Sequence, residues 1–438
     1  MAIISQRQLF SWKEIENLAD LERFSMLLEY LPDEGLMKTL EAGRGKGRDD
    51  YPIRAIWNSI LAGIVYQHQS IESLRRELMR NAQLRQLCGF DLLKGLDAVP
   101  SSNAYTNFLK LLLSHSVLIE QLFCDLVEKL RELLPRFGEV LAIDSKAIKS
   151  RAPRASRNKN IDARGEGDAD KGVKTYKGKR KDGSPWETIK SWFGFKLHLV
   201  VDAEYELPMA YRVTKASASD ITVGREMVKD LASNRPVVLE SAKFFLGDKA
   251  YDDTDLIMKL WDGHGIKPVI DIRDLWKIDG ARAVHGQSNV SHDYKGGVYC
   301  HSPVKWIKRP MAFGGFEKDR GSLKYRCPAK HYGLDCADRE QCWISDSIRI
   351  DIESNRRIFT PLARSSYKWK EMYKKRSAVE RVNSRLDESF GFEKHFIRGI
   401  NKMEARCGLA LIVMLGMAYG RVKQKQYERI RSLVTSVA

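Results

Sequence analysis

The sequence predicts a mixed α/β protein in which helical regions flank a strand-rich middle. Three observations predict this class. Apolar residues between Ile53 and Ile64 recur at helical intervals. Short apolar runs at 140–144 and 244–248 are typical of buried strands, and each ends in an aspartate. Residues 193–214 form two strand-like runs around a turn, which indicates a hairpin.

Composition divides the chain into four predicted parts. They are a helical N-terminal domain at 1–135, the first part of an α/β core at 136–254, an inserted Cys-rich subdomain at 255–370, and a C-terminal helical part of the core at 371–438. The third part is interpreted as an insertion because it is rich in Gly, His, Trp and Cys and carries no sustained period.

One segment of the core, residues 151–190, is strongly basic. It contains 12 Lys or Arg against 6 Asp or Glu, with several glycines and almost no large aliphatic residues. This composition predicts a mobile basic loop directly after the first strand.

The overall charge favours a polyanionic partner. The 438 residues carry 74 Lys and Arg against 57 Asp and Glu, a net charge of +17. Nucleic acid is the leading candidate, and a charge excess that only maintains solubility is the alternative.

The chain shows no sign of a membrane partner or of export. Its longest apolar run, Cys407–Tyr419, is shorter than the roughly 18 residues that a membrane span needs, so a buried core helix is expected there. The N-terminus lacks the features of a secretion signal, and a cytoplasmic location is expected.

Three carboxylates are candidates for catalysis. Asp144 and Asp248 each close a predicted strand, and Glu380 lies on a late predicted helix. Such carboxylates can hold two Mg²⁺ ions for phosphoryl transfer, although a single strand-end aspartate more often caps a turn. Tyr373, Arg376 and Glu380 are spaced to share one helix face, where Arg376 could grip a DNA phosphate or simply pair with Glu380.

The same residues lie in motifs that resemble a known family. In order along the chain, GEVLAIDSK, FFLGDKAYDD and YKKRSAVERVNSRLDESFGFEKHFIRG are similar to the DDE transposases of bacterial insertion sequences. The likeness is to the subgroup with a Tyr-x2-Arg-x3-Glu-x6-Lys signature, and it runs from about residue 20 to residue 422. It implies a ribonuclease H-like core and metal-dependent cleavage and strand transfer of DNA.

The resemblance also implies roles for individual residues. Asp144, Asp248 and Glu380 would be the catalytic ligands of Mg²⁺ or Mn²⁺, and Tyr373 and Arg376 would contact or position DNA. Where the signature has Lys, this chain has Asp387, which puts the associated contact to the transposon end in doubt.

A cysteine cluster in the inserted region suggests a second metal. Cys327, Cys336 and Cys342 lie within sixteen residues, and the chain offers Cys300, His301 or His331 as a fourth ligand. Four such ligands make a structural Zn²⁺ site. The alternative is a set of free thiols, since the spacing is not that of paired CxxC motifs.

The predicted function is therefore that of a transposase acting on double-stranded DNA, at the element ends and at a target, as a homodimer when DNA-bound. The helical N-terminal domain is expected to bind the element ends, and the protein is expected to associate with the bacterial nucleoid. Two alternatives remain open. One is a nuclease of the same fold that cuts without joining, and the other is a catalytically inert DNA-binding descendant.

Overall fold

A computed structural model describes residues 20–44, 50–154, 165–180, 182–276, 280–336, 339–344 and 346–433. The chain forms two compact units and passes between them more than once. The first unit comprises Met1–Leu133, Lys149–Ala169 and Ser384–Ala438, and the second comprises Leu134–Ile148 and Asp170–Asn383.

Helices dominate the first unit. Those that precede the sheet are α1 (Leu21–Tyr30), α2 (Glu34–Gly43), α3 (Ile53–Val65), α4 (Ile71–Arg80), α5 (Ala82–Cys88), α6 (Ser102–Ser114) and α7 (Ser116–Leu133). Ser70 and Ser101 cap α4 and α6, because each side chain accepts a hydrogen bond from the backbone N–H three residues later. For the described residues between 20 and 133, the prediction of a helical region is confirmed.

The second unit carries the main sheet. In chain order its elements are β1 (Val140–Lys149), β2 (Asp170–Lys179), β3 (Pro185–Asp202), β4 (Leu207–Lys215), α8 (Asp220–Asn234), α9 (Pro236–Ser241), β5 (Phe244–Gly247), α10 (Thr254–Met258) and β6 (Lys267–Ile270). Strands β2, β3, β1, β5 and β6 are neighbours in that order, and β4 also pairs with β3. β1, β5 and β6 are parallel, whereas β3 is antiparallel to β2 and β4.

The basic segment differs from the predicted loop. Residues 170–179 and 185–190 form paired antiparallel strands of the sheet, and residues 155–164 lie outside the described part of the chain. The glycines have a packing role here: Gly172 pairs with Trp192 and Gly178 with Trp186. A Cβ at either glycine would come within 2.5 Å of the tryptophan ring. Glycine therefore leaves room for each tryptophan ring to lie over the neighbouring strand. The amino-acid composition alone does not show whether a glycine makes room for a ring or makes a loop flexible.

In the region predicted to be an insertion, 255–370, β6 belongs to the main sheet, and the part after β6 is more regular than its sequence suggests. It contains β7 (Arg282–Ala283), β8 (Val290–His292), β9 (Val298–His301), β10 (Lys308–Pro310), β11 (Ala312–Glu317), β12 (Ser322–Arg326), α11 (Pro328–Tyr332) and β13 (Ser347–Asp351). These strands build a four-stranded and a three-stranded sheet around one buried apolar cluster that includes Leu323, Tyr325 and Ile350. The strands are only two to six residues long, too short to show a period in the sequence.

Three helices follow β13: α12 (Tyr367–Lys374), α13 (Ala378–Phe390) and α14 (Ile400–Lys423). A 3-10 turn at Lys375–Ser377 separates α12 from α13, so the single helix predicted through Tyr373, Arg376 and Glu380 is interrupted. α13 crosses the division between the units, and Asp387 lies in its first-unit part, where it is half-buried.

The long helix α14 forms the core of the first unit. By length and composition it could cross a membrane, but 78% of its most apolar window is buried, as in a core helix. It packs against α1, α3 and α7. Gly416 and Gly420 allow α1 to approach closely, because a Cβ at Gly416 would lie 2.5 Å from Leu27 and one at Gly420 would lie 2.8 Å from Met26.

Candidate active site

Strand pairing places Asp144 beside Asp248. The last paired residues of the parallel strands β1 and β5 are Ala142 and Leu246, and each aspartate lies two residues further along its strand direction. Residues at matching positions on adjacent strands are about 4.8 Å apart, and a spacing of two keeps both side chains on one face. The predicted pair is thus brought together at the carboxyl edge of the sheet.

Asp144 is mostly buried and feels the charge of Asp248. Its side chain is 20% exposed, and burial followed by the charge of Asp248 raises its pKa to about 6. The backbone N–H of Ser145 donates to Asp144 Oδ1 at 2.7 Å, and the charges of Lys174 and Arg376 also oppose the rise. Two carboxylates that repel each other in this way are a suitable donor pair for a divalent cation.

Arg376 connects the third predicted carboxylate to the first. Its guanidinium lies 2.8 Å from Glu380 Oε1 and 3.7 Å from Asp144 Oδ2. Glu380 is 55% exposed at the start of α13. Arg376 therefore acts as a countercharge between two carboxylates in this conformation, rather than presenting a free fork to phosphate.

Tyr373 supports Arg376 from the end of α12. Its ring stacks on Trp369, with centroids 4.7 Å apart and an interplanar angle of 11°. The Arg376 guanidinium carbon lies 5.8 Å from the centre of the Tyr373 ring. The aromatic pair thus limits the positions that the guanidinium can take.

A polar network beside Asp144 was not predicted from the sequence. Asp220, at the start of α8, accepts a hydrogen bond from Lys196 Nζ at 3.0 Å, and Lys174 Nζ lies 3.4 Å from Ser145 Oγ. Lys196 is nearly buried. The available signal was that Lys196 and His198 alternate with apolar residues along β3, which makes one face of a buried strand polar.

The pKa of Tyr251 depends on the same carboxylates. Its ring lies against Gly224 and Gly247, and its hydroxyl is buried without a hydrogen-bond partner among the described residues. Burial raises the pKa of this hydroxyl, and the charges of Asp144, Asp220 and Asp248 raise it further. The charges of three carboxylates therefore act on one buried hydroxyl.

Asp202 and His198, which also lie on the hairpin, have structural partners. Asp202 is fully buried and accepts hydrogen bonds from the backbone N–H groups of Gly138, Glu204 and Tyr205. His198 Nε2 lies 2.9 Å from the Thr214 hydroxyl. Both residues thus support the β3–β4 hairpin.

Two of the three predicted carboxylate ligands, Asp144 and Asp248, are placed to bind a divalent cation. Asp144 and Asp248 are adjacent, but within the described ranges no three His, Cys, Asp or Glu side chains converge as a metal-binding group. Glu380 is instead joined to the pair through Arg376. The carboxylates have the right chemistry, and Arg376 neutralises them in this conformation.

The cysteines of the inserted region lie in one neighbourhood. Burial, followed by the neighbouring thiols of Cys327, Cys342 and Cys336, raises the pKa of the Cys300 thiol to about 11. Asn289 Nδ2 lies 3.5 Å from Cys342 Sγ, and its strand neighbour Val290 pairs with Cys300. In the part of the chain that is described, these thiols do not form a closed ligand set, so zinc remains a prediction.

Comparison with known proteins adds a family. The family described as "Transposase DDE domain" matches residues 135–415, a range that includes every carboxylate of this site. One similar solved structure is the cryo-EM structure of a piggyBac transposase synaptic complex with hairpin DNA. It is 11% identical, with 98% of this chain and 88% of that chain covered, and its TM-score of 0.29 is too low to support an argument. No curated protein matches the chain.

Proposed function

The chain belongs to the transposase DDE domain family, and from this membership we propose that it cleaves DNA strands and joins them to a target. The observation that carries the proposal is the strand register that sets Asp144 beside Asp248, with Arg376 and Glu380 next to them. The element would be a bacterial insertion sequence, as the Tyr373, Arg376 and Glu380 spacing suggests.

We also propose that the core is ribonuclease H-like. The strand order β4, β3, β1, β5, β6 supports this, with β1, β5 and β6 parallel and the β3–β4 hairpin at one side. In such an open sheet, ligands bind beyond the carboxyl ends of the parallel strands. Asp144 and Asp248 lie at that edge.

The catalytic chemistry would depend on Asp144, Asp248 and Glu380 as ligands of Mg²⁺ or Mn²⁺. When bound, the metal ions would activate the attacking hydroxyl and stabilise the leaving oxygen in an in-line displacement at phosphorus. The protein's part is to hold the carboxylates ionised and in place. Asp144 must lose its proton for this role, and its pKa of about 6 allows that at neutral pH.

Arg376 would have two partners during the reaction. It pairs with Glu380 and Asp144 in this structure, and a planar guanidinium also binds a phosphate through two parallel hydrogen bonds. We propose that it turns from the carboxylates to the DNA backbone when cations neutralise the site. The stacked pair Tyr373 and Trp369 would keep the guanidinium near the site during this exchange.

Parts of the chain other than the carboxylate site would bind most of the DNA. The basic segment at 151–190, with twelve cationic residues, would bind phosphates, and the N-terminal helical region would bind the element ends. A homodimer would hold two ends together. Arginines on a helix of this region are candidates for contacts to DNA phosphates. On α4, however, Arg75 pairs with Glu72 and Arg80 pairs with Glu77, so these arginines do not show which surface binds DNA.

The inserted region would hold a structural Zn²⁺ through Cys327, Cys336 and Cys342. We propose Cys300 as the fourth ligand in preference to His301 or His331, and this choice is supported by the contributions of the other three thiols to the raised pKa of Cys300. Small antiparallel sheets of this size gain stability when a metal joins their loops.

Strand transfer is the test of this function. The full-length protein would be incubated with Mn²⁺ and a plasmid that carries the coding region with its native flanks, together with a second plasmid as target. Nicks at the ends of the element and joined products between the plasmids are expected.

Cleavage without joined products would favour the nuclease, and DNA binding without cleavage would favour the inert descendant. Either result would contradict the proposed transposase.

A further inference from the structure

The turn between β3 and β4, residues 203–206, is fixed to the strand that carries Asp144. Asp202 closes the turn, since its Oδ1 accepts a hydrogen bond from the backbone N–H of Glu204 at 3.0 Å. The N–H of Ala203 donates to the carbonyl oxygen of Val140 at 2.8 Å. Val140 begins β1, the strand on which Asp144 lies. Hydrogen bonds therefore hold this turn in a set place relative to Asp144.

Glu206, on the same turn, pairs with the residue that directly follows Glu380. Its Oε1 accepts a hydrogen bond from Arg381 Nε at 2.6 Å. Arg381 Nη1 also donates to the hydroxyl oxygen of Ser377 at 2.7 Å. The side chain of Glu206 is 7% exposed, and that of Arg381 is 50% exposed. This ion pair joins the first turn of α13, which carries Glu380, to the β3–β4 turn.

A second ion pair holds the other side of the same segment. Lys375 pairs with Glu204, and it directly precedes Arg376 in the 3-10 turn between α12 and α13. Lys375 and Arg381 thus lie on either side of the residues from Arg376 to Glu380. Partly exposed ion pairs contribute little to stability, so stability alone is a weak reason for two of them here.

The backbone of Glu206 gives an independent reason to assign it a role. Its φ is +58°, in the left-handed region that glycine adopts without strain and that other residues disfavour. Its N–H donates to the carbonyl oxygen of Asp202 at 3.0 Å, which holds it in this conformation. Strained backbone of this kind is concentrated at functional sites. Glycine would fit the turn with less strain, so the carboxylate is what distinguishes glutamate at this position.

We propose that Glu206 is a positioning residue that sets the place of Glu380 relative to Asp144 through Arg381. The inference rests on the proposed function, because that function makes Glu380 and Asp144 metal ligands. Glu380 is 55% exposed at the start of α13, so it is not held by burial. A ligating carboxylate must be held to within about 0.5 Å, and the connection from β1 through the turn to Arg381 provides that restraint.

Another glutamate–arginine pair of the second unit offers a matched control. Glu226, on α8, lies 2.7 Å from the guanidinium of Arg212 on β4, and its side chain is 53% exposed. Replacing Glu206 or Glu226 by glutamine removes one carboxylate charge from one such pair. Neither Glu226 nor Arg212 lies on α12, on α13 or on the β3–β4 turn.

The experiment compares Glu206→Gln, Arg381→Gln, their double variant and Glu226→Gln in the full-length protein. Single-turnover cleavage of the plasmid with native flanks is measured at saturating DNA, and Mn²⁺ binding is titrated on the DNA-free protein. Each of the first two variants should cleave about 10- to 100-fold more slowly and bind Mn²⁺ more weakly, as when a group that orients a metal ligand is removed. The double variant should be no slower than the slower single variant, because both changes break one contact. Glu226→Gln should match the wild type.

A further variant, Glu206→Gly, separates positioning from a general structural role. Glycine relieves the strained φ, so this variant should unfold at about the wild-type temperature or above it. Its cleavage and Mn²⁺ binding should nevertheless fall as in Glu206→Gln. A glutamate with only a structural role would instead lose stability together with activity, and that result would overturn the proposal.

Wild-type cleavage and Mn²⁺ binding by Glu206→Gln would also overturn it, and so would effects that multiply in the double variant. If Glu206→Gln fails to fold, Arg381→Gln decides alone, because its half-exposed side chain can be replaced without emptying the core. If the wild type does not cleave DNA, the proposed function fails, and the Mn²⁺ titration still tests whether Glu206 sets the metal ligands in place.

Discussion

The two predicted metal sites are built in different ways. Asp144 and Asp248 follow adjacent parallel strands, so backbone pairing fixes their separation before any ligand binds. Three of the four cysteines, Cys327, Cys336 and Cys342, lie in turns and loops of the inserted region, and no ladder of hydrogen bonds sets the distances between their thiols. A sheet edge can therefore hold carboxylates in place without a cation, whereas a loop-built site needs its metal to complete it.

The two predicted metal sites also differ in the charge of their ligands before metal binds. At the sheet edge, repulsion between the carboxylates is partly offset by Arg376 and Lys174. In the insertion, burial and neighbouring thiols hold the Cys300 thiol protonated at neutral pH, because they raise its pKa to about 11. Zinc binding there must displace thiol protons, which makes it dependent on pH.

The largest expected effect concerns the cysteines. Cys327→Ser or Cys342→Ser should reduce bound zinc from one ion per chain to none, and it should destabilise the insertion. Structural zinc in small domains has an apparent binding free energy of about 10 kcal/mol or more. Elemental analysis after dialysis measures the zinc, and thermal unfolding measures the destabilisation.

Cys124→Ser is the control, since Cys124 lies in α7, outside the inserted region. Wild-type protein without zinc, or zinc retained by both cysteine variants, would contradict a zinc site in the insertion.

The next effect concerns the sheet edge. Asp144→Ala or Asp248→Ala should lower DNA cleavage by roughly 10²- to 10³-fold or more, the size seen when one preorganised electrostatic group is removed. The fold and DNA affinity should persist, because strand pairing and not the carboxylates holds this edge. Single-turnover cleavage and a gel-shift titration measure the two quantities.

Asp262→Ala, at a partly exposed carboxylate paired with Arg356, should cleave like the wild type. Cleavage at the wild-type rate by either Asp144→Ala or Asp248→Ala would remove that residue from the site.

The smallest effect is on stability. Asp248→Asn removes the repulsion on Asp144, so the pKa of Asp144 should fall from about 6 toward its ordinary value, although burial still raises it. A carboxyl group with a raised pKa destabilises the folded state once it ionises. The metal-free variant should therefore be more stable than the wild type at neutral pH, by about 1.4 kcal/mol for each unit of pKa removed.

This gain should disappear as the pH falls through about 6, where Asp144 takes up its proton in the wild type. Denaturant unfolding at several pH values measures it, with Asp319→Asn, at an 80% exposed carboxylate, as the control. Equal stability of Asp248→Asn and wild type at every pH would show that the two carboxylates do not interact.

Local patterns predicted much of the secondary structure. The helical spacing near Ile53, the apolar runs before Asp144 and Asp248, and the hairpin at 193–214 all correspond to observed elements. The glycine-rich basic segment was interpreted wrongly in its second half, because Gly172 and Gly178 serve tryptophans on the opposite strand. Composition records which residues are present and carries no information about their partners.

The sequence by itself determined the family and the residue types of the site, because the strand-end aspartates and the Tyr373, Arg376 and Glu380 spacing are local patterns. Only the tertiary structure decided that Arg376 lies between Glu380 and Asp144, and that Lys196 pairs with Asp220. These contacts join residues that are far apart in the chain. Their distances depend on strand register and helix packing, and no short stretch of sequence encodes either.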